Sequence, residues 1–206
     1  MKPYYQDQSV TIYHGDCRQI VPQLGNFDLL LTDPPYGIGM DGGNVGYKGA
    51  NNFDKKQWDT KPPDALLLQG LMITAQKTVF WGGNYMSLPP SRQWLVWDKG
   101  AGFKGRTYAE AELAWTSFDA NVRVFSYDPL AKGDYKGKLH PTQKPLEVIK
   151  WCINLAGDVQ TILDPFAGSG TTGRAAKDLG KQAVLVEMDE QYCEIAAQRM
   201  AQEVLL

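Results

Sequence analysis

Asp33-Pro34-Pro35-Tyr36 is the group of residues in this chain best suited to chemistry. Each proline fixes its own φ, and Pro35 also keeps Pro34 out of helical geometry. The four residues make a stiff, extended bracket: a carboxylate at one end, an aromatic ring at the other, the Pro34 carbonyl between. Such a bracket suits a planar ring that bears an amino group. Asp33 and the Pro34 carbonyl would accept the two amino hydrogens while Tyr36 stacks on the ring. Accepting both hydrogens draws the nitrogen lone pair out of conjugation and towards an electrophile. The plainer alternative is a strand-to-loop turn in which Asp33 caps a neighbour.

A second constellation lies far along the chain. Asp164-Pro165-Phe166-Ala167-Gly168-Ser169-Gly170-Thr171-Thr172-Gly173 joins an apolar run, Thr161–Leu163, to a segment of helical spacing. A glycine-rich turn between strand and helix lets a cofactor approach the backbone and presents N–H groups at the helix start. Glu187 follows 23 residues after Asp164. That offset suits an acid binding ribose hydroxyls. Strand, glycine turn, helix, strand and acid together form a nucleotide-binding half-domain.

The elements that must position these residues follow from the apolar pattern. Phe27–Thr32 reads as a buried strand that delivers Asp33. Val10–Tyr13, Thr78–Trp81, Trp94–Trp97, Leu113–Thr116 and Val122–Phe125 are further short strands. Helices are expected over Leu66–Ala75, Leu146–Leu155, Thr171–Leu179 and 190–203, and strands over 161–163 and 183–186. This alternation predicts an α/β chain with a mostly parallel sheet covered by helices on both faces. Ligands in such sheets sit beyond the carboxyl ends of the strands, where strand order reverses. Asp33 and Asp164 each end a strand, so one crevice can receive both.

With these motifs in place, the chain resembles the amino-group DNA methyltransferases that use S-adenosylmethionine, in their permuted "beta" arrangement. Asp33–Tyr36 precedes Phe166–Gly170, and a third family element, His140-Pro141-Thr142-Gln143-Lys144-Pro145, lies between them. The resemblance runs from about Tyr13 to Arg199 and is weaker between residues 41 and 139. It implies a Rossmann-like, doubly wound sheet in permuted motif order. It also implies that Asp33, Pro34, Pro35 and Tyr36 are catalytic. Asp164, Phe166, Ala167, Gly168 and Gly170 would line the cofactor, with Asp164 near its methionine amino group, and Glu187 would hold its ribose. Thr142 and Lys144 would contact the methionine end, Lys144 facing the carboxylate, with a surface salt bridge as the rival role. Asp16, in a Gly-Asp dipeptide, would face the adenine of the cofactor or act simply as a turn acid.

The implied reaction extrudes a base from the duplex, because its amino nitrogen lies too deep for a cofactor held in a crevice. Methyl transfer to that nitrogen would leave S-adenosylhomocysteine, with no metal required. Adenine is favoured over cytosine, since Asp in the first motif position accompanies adenine in most beta-arranged members. Phe80-Trp81-Gly82-Gly83-Asn84-Tyr85 offers a wall for the base pocket through Trp81 and Asn84. Trp94, Trp97 and Trp115 read as packing. The Gly- and Asn-rich stretch Ile38–Asp54 reads as a loop able to close on the base.

Composition bounds the partners. The 206 residues are 43% hydrophobic, enough for one domain with one core, and no stretch is long enough to span a membrane. Three scattered cysteines, Cys17, Cys152 and Cys193, fit reduced thiols in a cytoplasmic protein, and two histidines make a zinc centre improbable. The net charge of −2 hides a gradient: residues 92–150 hold 10 basic against 7 acidic side chains, while residues 151–206 hold 4 against 8. Two basic, glycine-rich segments lie in that positive stretch. They assign Lys99, Lys104, Arg106, Lys132, Lys136 and Lys138 to DNA phosphates, with Phe103 and Tyr135 as candidate stacking residues and Asp98-Lys99 as a candidate lining of the channel.

Relatives with this motif order carry a substantial target-recognition region. Here residues 117–139 leave room for only a short one within a single methyltransferase domain spanning 1–206. A short target sequence or a second subunit is the expectation, with a homodimer and a cognate restriction endonuclease as candidate partners. Rival readings are a cytosine amino-group enzyme, an RNA or protein-glutamine methyltransferase, a nicotinamide oxidoreductase and a catalytically silent DNA-binding subunit.

Overall fold

A computed structural model describes residues 1–42, 54–134 and 136–202. Its strands are β1 (Tyr5–Gln6), β2 (Val10–His14), β3 (Phe27–Thr32), β4 (Ala75–Trp81), β5 (Trp94–Asp98), β6 (Ala111–Thr116), β7 (Arg123–Ser126), β8 (Thr161–Asp164) and β9 (Gln182–Glu187). The helices are α1 (Cys17–Ile20), α2 (Ala65–Met72), α3 (Pro129–Lys132), α4 (Leu146–Leu155), α5 (Thr171–Asp178) and α6 (Glu190–Ala201). All nine described strands form one sheet in the order β1-β2-β9-β8-β3-β4-β6-β5-β7.

The run β2-β9-β8-β3-β4 is parallel throughout, and β6 is the antiparallel insert between β4 and β5. From β8 the chain crosses through α5 to β9 on one side; from β3 it crosses through α2 to β4 on the other. The order therefore reverses between β3 and β8. This Rossmann-like α/β sheet brings the two expected strands side by side, with Leu29 opposite Ile162 and Leu30 opposite Leu163.

Strand alternation divides the core into two layers. Leu29 and Leu31 point to the side packed by Val148, Cys152, Ala175 and Ala196 of α4, α5 and α6. Leu30 points to the other side, among Cys17, Ile20, Leu68 and Leu71 of α1 and α2. Both faces of β3 are thus covered, which accounts for its continuous apolar run. The three cysteines are free and buried.

The structure corrects some boundaries. The helix expected to reach Ala75 ends at Met72, and β4 begins at Ala75 rather than Thr78. No glycine or proline marks that junction; Thr74 makes it, its hydroxyl donating to the Leu71 carbonyl at 2.7 Å. Most of the expected Ile38–Asp54 loop, Tyr135, and residue 203 of the expected last helix lie outside the described residues. No described helix is long and apolar enough to cross a membrane.

Candidate active site

A cavity of about 1230 Å³ opens at the carboxyl ends of β3 and β8. Asp33, Pro34, Pro35 and Tyr36 line it together with Thr142, Lys144, Phe166, Gly168 and Glu187. Residues more than a hundred positions apart meet there because β3 and β8 are neighbours in parallel register. The volume exceeds that of a typical small-ligand pocket, so it can hold a nucleoside-type cofactor beside a second planar ring.

On the β3 side the site is a closed set of charges. One oxygen of Asp33 accepts the Tyr36 hydroxyl at 2.5 Å, and the other accepts the Lys144 ammonium, also at 2.5 Å. Lys144 further reaches Glu112 of β6 at 3.0 Å, and Glu112 pairs with Lys99 at 2.7 Å. Burial works to neutralise Lys144, but Asp33 and Glu112 outweigh it and raise its pKa. Burial also pushes Glu112 upward, yet Lys144 and Lys99 bring it down to about 2. For Asp33, burial raises the carboxyl and the Lys144 charge opposes it. Two anions and two cations thus alternate along one buried chain, each charge compensated by the next.

Tyr36 stands between two neighbours. Its ring stacks on Tyr85, with centroids 5.1 Å apart and planes at 13°. Gly82, at φ +67°, leaves it room: a Cβ there would fall 2.0 Å from Tyr36 Cε1. The close approach suggested by the glycine pair is therefore an approach to Tyr36. Asn84 lines the cavity as expected, but Trp81 does not; it is fully buried in the core, edge-on to Trp97.

The β8 side is built from neutral donors. Asp164 accepts the Thr32 hydroxyl at 2.6 Å and the Phe166 N–H at 3.1 Å. Burial carries its carboxyl up to about 6, against the pull of hydrogen bonds from Thr172, Thr32 and Phe166. Glu187 accepts from Gly168 N at 2.7 Å and from Asp189 N at 2.8 Å, which fixes its carboxylate at the cavity wall with lone pairs to spare. Gly168 has φ +50° and presents bare backbone to the cavity. The indole N–H of Trp58 is buried in the wall without a hydrogen-bond partner among the described residues. Polar acceptors, bare backbone and an unpaired donor fit a polar nucleoside-type group.

Several expected positions are reassigned. Lys144 is not a surface ion pair: it lines the cavity, with its ammonium held by Asp33 and Glu112. Lys99 is 7% exposed and paired, so it is not a phosphate contact on an open loop. Lys104, Arg106, Lys132 and Lys136 are exposed as anticipated, while Lys138 is half-buried and lines the cavity. Burial lowers Lys138 to about 8. Asp98 is tied up by Gly100 N and the Ser126 hydroxyl. Asp16 caps α1, accepting from Arg18 N at 2.8 Å, as a turn acid would. Ala167 is buried in the core, and Gly170 packs on α6, where a Cβ would meet that of Ala196 at 2.8 Å. Thr142 lies on His140, whose ring packs on Trp58 and Tyr192 and which burial holds at about 3, hence neutral.

Two residues were not singled out from the sequence at all, Glu112 and Asp59. An acid inside the apolar run Ala111–Thr116 was the available signal for the first. The second accepts three backbone N–H groups, that of Tyr36 at the end of the bracket and those of Gly37 and Met40 beyond it.

The fold and the meeting of the two motifs at one switch-point cavity define a nucleotide-cofactor group transferase. The comparisons make the class specific. The N6/N4 methyltransferase family, described as DNA methylase, matches residues 104–198. The chain is 27% identical to the type II methyltransferase M2.DpnII of Streptococcus pneumoniae, over 98% of this chain and 93% of that one. It is 26% identical to M.ScaI of Streptomyces caespitosus, over 98% and 84%. Among solved structures it is similar to the M1.HpyAVI–SAM complex, at 19% identity and TM-score 0.57 over 93% of this chain and 99% of the other. PvuII DNA methyltransferase, at 16% identity, has TM-score 0.59 over 100% and 91%. These similarities support an amino-group DNA methyltransferase of the N6/N4 family, with S-adenosylmethionine as the methyl donor.

Proposed function

We propose that this chain transfers a methyl group from S-adenosylmethionine to the exocyclic amino nitrogen of adenine in DNA, after the base has left the duplex. The observation that carries the reading is the shared cavity: Asp33 and the Gly168–Glu187 wall face one space. The cofactor supplies an electrophilic methyl group on a sulfonium centre. Gly168 backbone and Glu187 would hold its nucleoside part, and Asp164 its charged amino group. Asp33 and the Pro34 carbonyl accept the amino hydrogens of the base and stabilise the positive charge that develops on nitrogen. Tyr36 fixes the plane of the ring. Lys144 opposes the upward push of burial on the Asp33 carboxyl and aims it until the base arrives.

Each oxygen of Asp33 holds one bond in the free site and keeps a further lone pair, so a base amino group can share that carboxylate or displace the Tyr36 hydroxyl or the Lys144 ammonium. Glu112, 3.0 Å from Lys144, offers that ammonium somewhere to go. Proline geometry holds the Pro34 carbonyl in place for the second hydrogen. Much of the rate would come from holding the two reactants in line.

Adenine rather than cytosine rests on Asp33 as the first residue of its motif. Exposed Lys104, Arg106, Lys132 and Lys136 would supply phosphate contacts, Arg106 from the cavity wall itself. The target sequence is short. The alignment with M2.DpnII runs over 254 residues and that with M.ScaI over 270, so these relatives carry at least 48 and 64 residues with no counterpart in the 206 here. Recognition then falls to residues 117–139, which hold only β7 and α3, or to a second subunit. A cognate restriction endonuclease is the partner such an activity implies.

The test is incubation of purified protein with methyl-labelled S-adenosylmethionine and duplex DNA, RNA or protein, then nucleoside digestion and mass analysis. Label in N6-methyladenine from DNA is the expected result. N4-methylcytosine would move the assignment to cytosine, and label confined to RNA or protein would overturn it.

A further inference from the structure

The segment 54–61 crosses the cavity from one wall to the other. At its start the Lys56 ammonium reaches Asp189 and, at 3.0 Å, Gln191, and it lies 4.7 Å from the centre of the Tyr192 ring, all on the β9–α6 wall. Trp58 packs its indole on His140 with centroids 5.2 Å apart. Its end meets the opposite wall. The Asp59 side chain, 2% exposed, accepts Tyr36 N and Gly37 N on one oxygen and Met40 N on the other, each at 2.7 Å. The Asp59 carbonyl accepts a fourth N–H, that of Gly39, at 3.1 Å.

Proline stiffness fixes the bracket only as far as Pro35. Beyond it the chain turns through Gly37 and Gly39, both at positive φ and intrinsically free. Four bonds from one residue gather this stretch, and the first is to the amide of Tyr36 itself. A carboxylate is the side chain suited to the task, since it accepts on every side and brings no donor against three converging N–H groups.

We propose that Asp59 is a positioning residue for the catalytic bracket: it holds the Tyr36 backbone, and through it the ring and the Tyr36–Asp33 contact, in the geometry that receives the base. The role rests on the methyl-transfer reading above. The two side chains that Asp59 aims meet the base; Asp59 meets only backbone. Because the same segment is tied to the cofactor wall through Lys56 and Trp58, Asp59 sets the spacing between the two halves of the cavity.

The experiment compares wild type with Asp59→Asn and Asp59→Ala. Asparagine keeps the shape but turns one acceptor into a donor facing an N–H; alanine removes both acceptors. Hydrogen exchange of the peptide containing residues 36–40 reads the contact independently of any activity. Its protection is expected to fall in the order wild type, Asn, Ala. Cofactor affinity, followed by titrating S-adenosylmethionine, is expected to stay within about threefold, while single-turnover methyl transfer to DNA falls about 10- to 100-fold, the effect of a small misplacement. Unchanged protection at residues 36–40 would overturn the proposal. So would a loss of cofactor affinity and thermal stability in proportion to the rate, which marks general structural damage. If wild type transfers no methyl group, the methyl-transfer reading fails and the catalytic role with it, while the exchange result still decides the contact.

Discussion

Asp33 and Asp164 occupy equivalent places, each at the carboxyl end of one of two adjacent parallel strands; Asp33 lines the cavity, while Asp164 is buried next to Pro165 and Phe166, which line it. Their partners differ. Asp33 is met by a full positive charge, Lys144, which is itself shared with Glu112. Asp164 is met by neutral donors only, the Thr32 and Thr172 hydroxyls and the Phe166 N–H. Position in the fold therefore does not set chemistry; the neighbouring side chains do. A carboxylate with an ammonium beside it is kept ready to accept hydrogens from an incoming amino group. One supported by hydroxyls alone keeps its affinity for a cation that has yet to bind.

The comparison breaks most sharply at Asp33. Asp33→Ala should lower methyl transfer on the order of 10³-fold, measured in single turnover, with cofactor affinity little changed. Asp164→Ala should do the reverse, weakening cofactor binding first. Equal effects on both quantities from both variants would erase the distinction.

Removing the cation comes next. Lys144→Met leaves Asp33 without a cation and Glu112 with Lys99 alone, and should cost about 3–5 kcal/mol of stability in denaturant unfolding. Asp33→Asn in the same background should restore part of that loss, because the two sites are coupled. Strict additivity would mean that the charges do not interact.

The pH dependence sharpens the contrast further. Between the ordinary aspartate value near 4 and about 6, folded Asp164 holds a proton that the unfolded chain has lost. This group therefore makes stability fall as pH rises through that window. Cofactor binding runs the other way: affinity should rise through about pH 6 as the carboxylate ionises, and Asp164→Asn should flatten the rise. An affinity independent of pH in wild type would remove Asp164 from the cofactor site.

Smallest is the difference between two glycines of one turn. Gly170→Ala, at φ +78° and against Ala196, should cost about 1–3 kcal/mol in thermal unfolding. Gly168→Ala, at φ +50° and 3.4 Å from His140, should cost less in stability and more in cofactor affinity. The opposite pattern would place the cofactor nearer Gly170.

What the sequence revealed follows a physical division. Phe27–Thr32 and Leu146–Leu155 were readable to the residue because continuous burial and helical periodicity are local signals. The meeting of Asp33 with Gly168 and Glu187 followed from the strand-end rule for parallel sheets. Lys99 was placed on DNA phosphates, and the rival ion pair of Lys144 on the surface, because a lysine looks like a surface charge until its partner is known. Their partner, Glu112, is 32 residues from Lys144 and belongs to the antiparallel insert β6. Asp59 was invisible for a related reason: its partners are backbone N–H groups, which every residue except proline carries and no pattern distinguishes.

The most direct measurement of the central claim is a crystal structure of the protein with S-adenosylmethionine bound. The account requires the cofactor against Gly168 and Glu187 in the cavity, with its sulfonium methyl turned towards Asp33 and the Pro34 carbonyl. A cofactor seated elsewhere, or one whose methyl points away from Asp33, would contradict it.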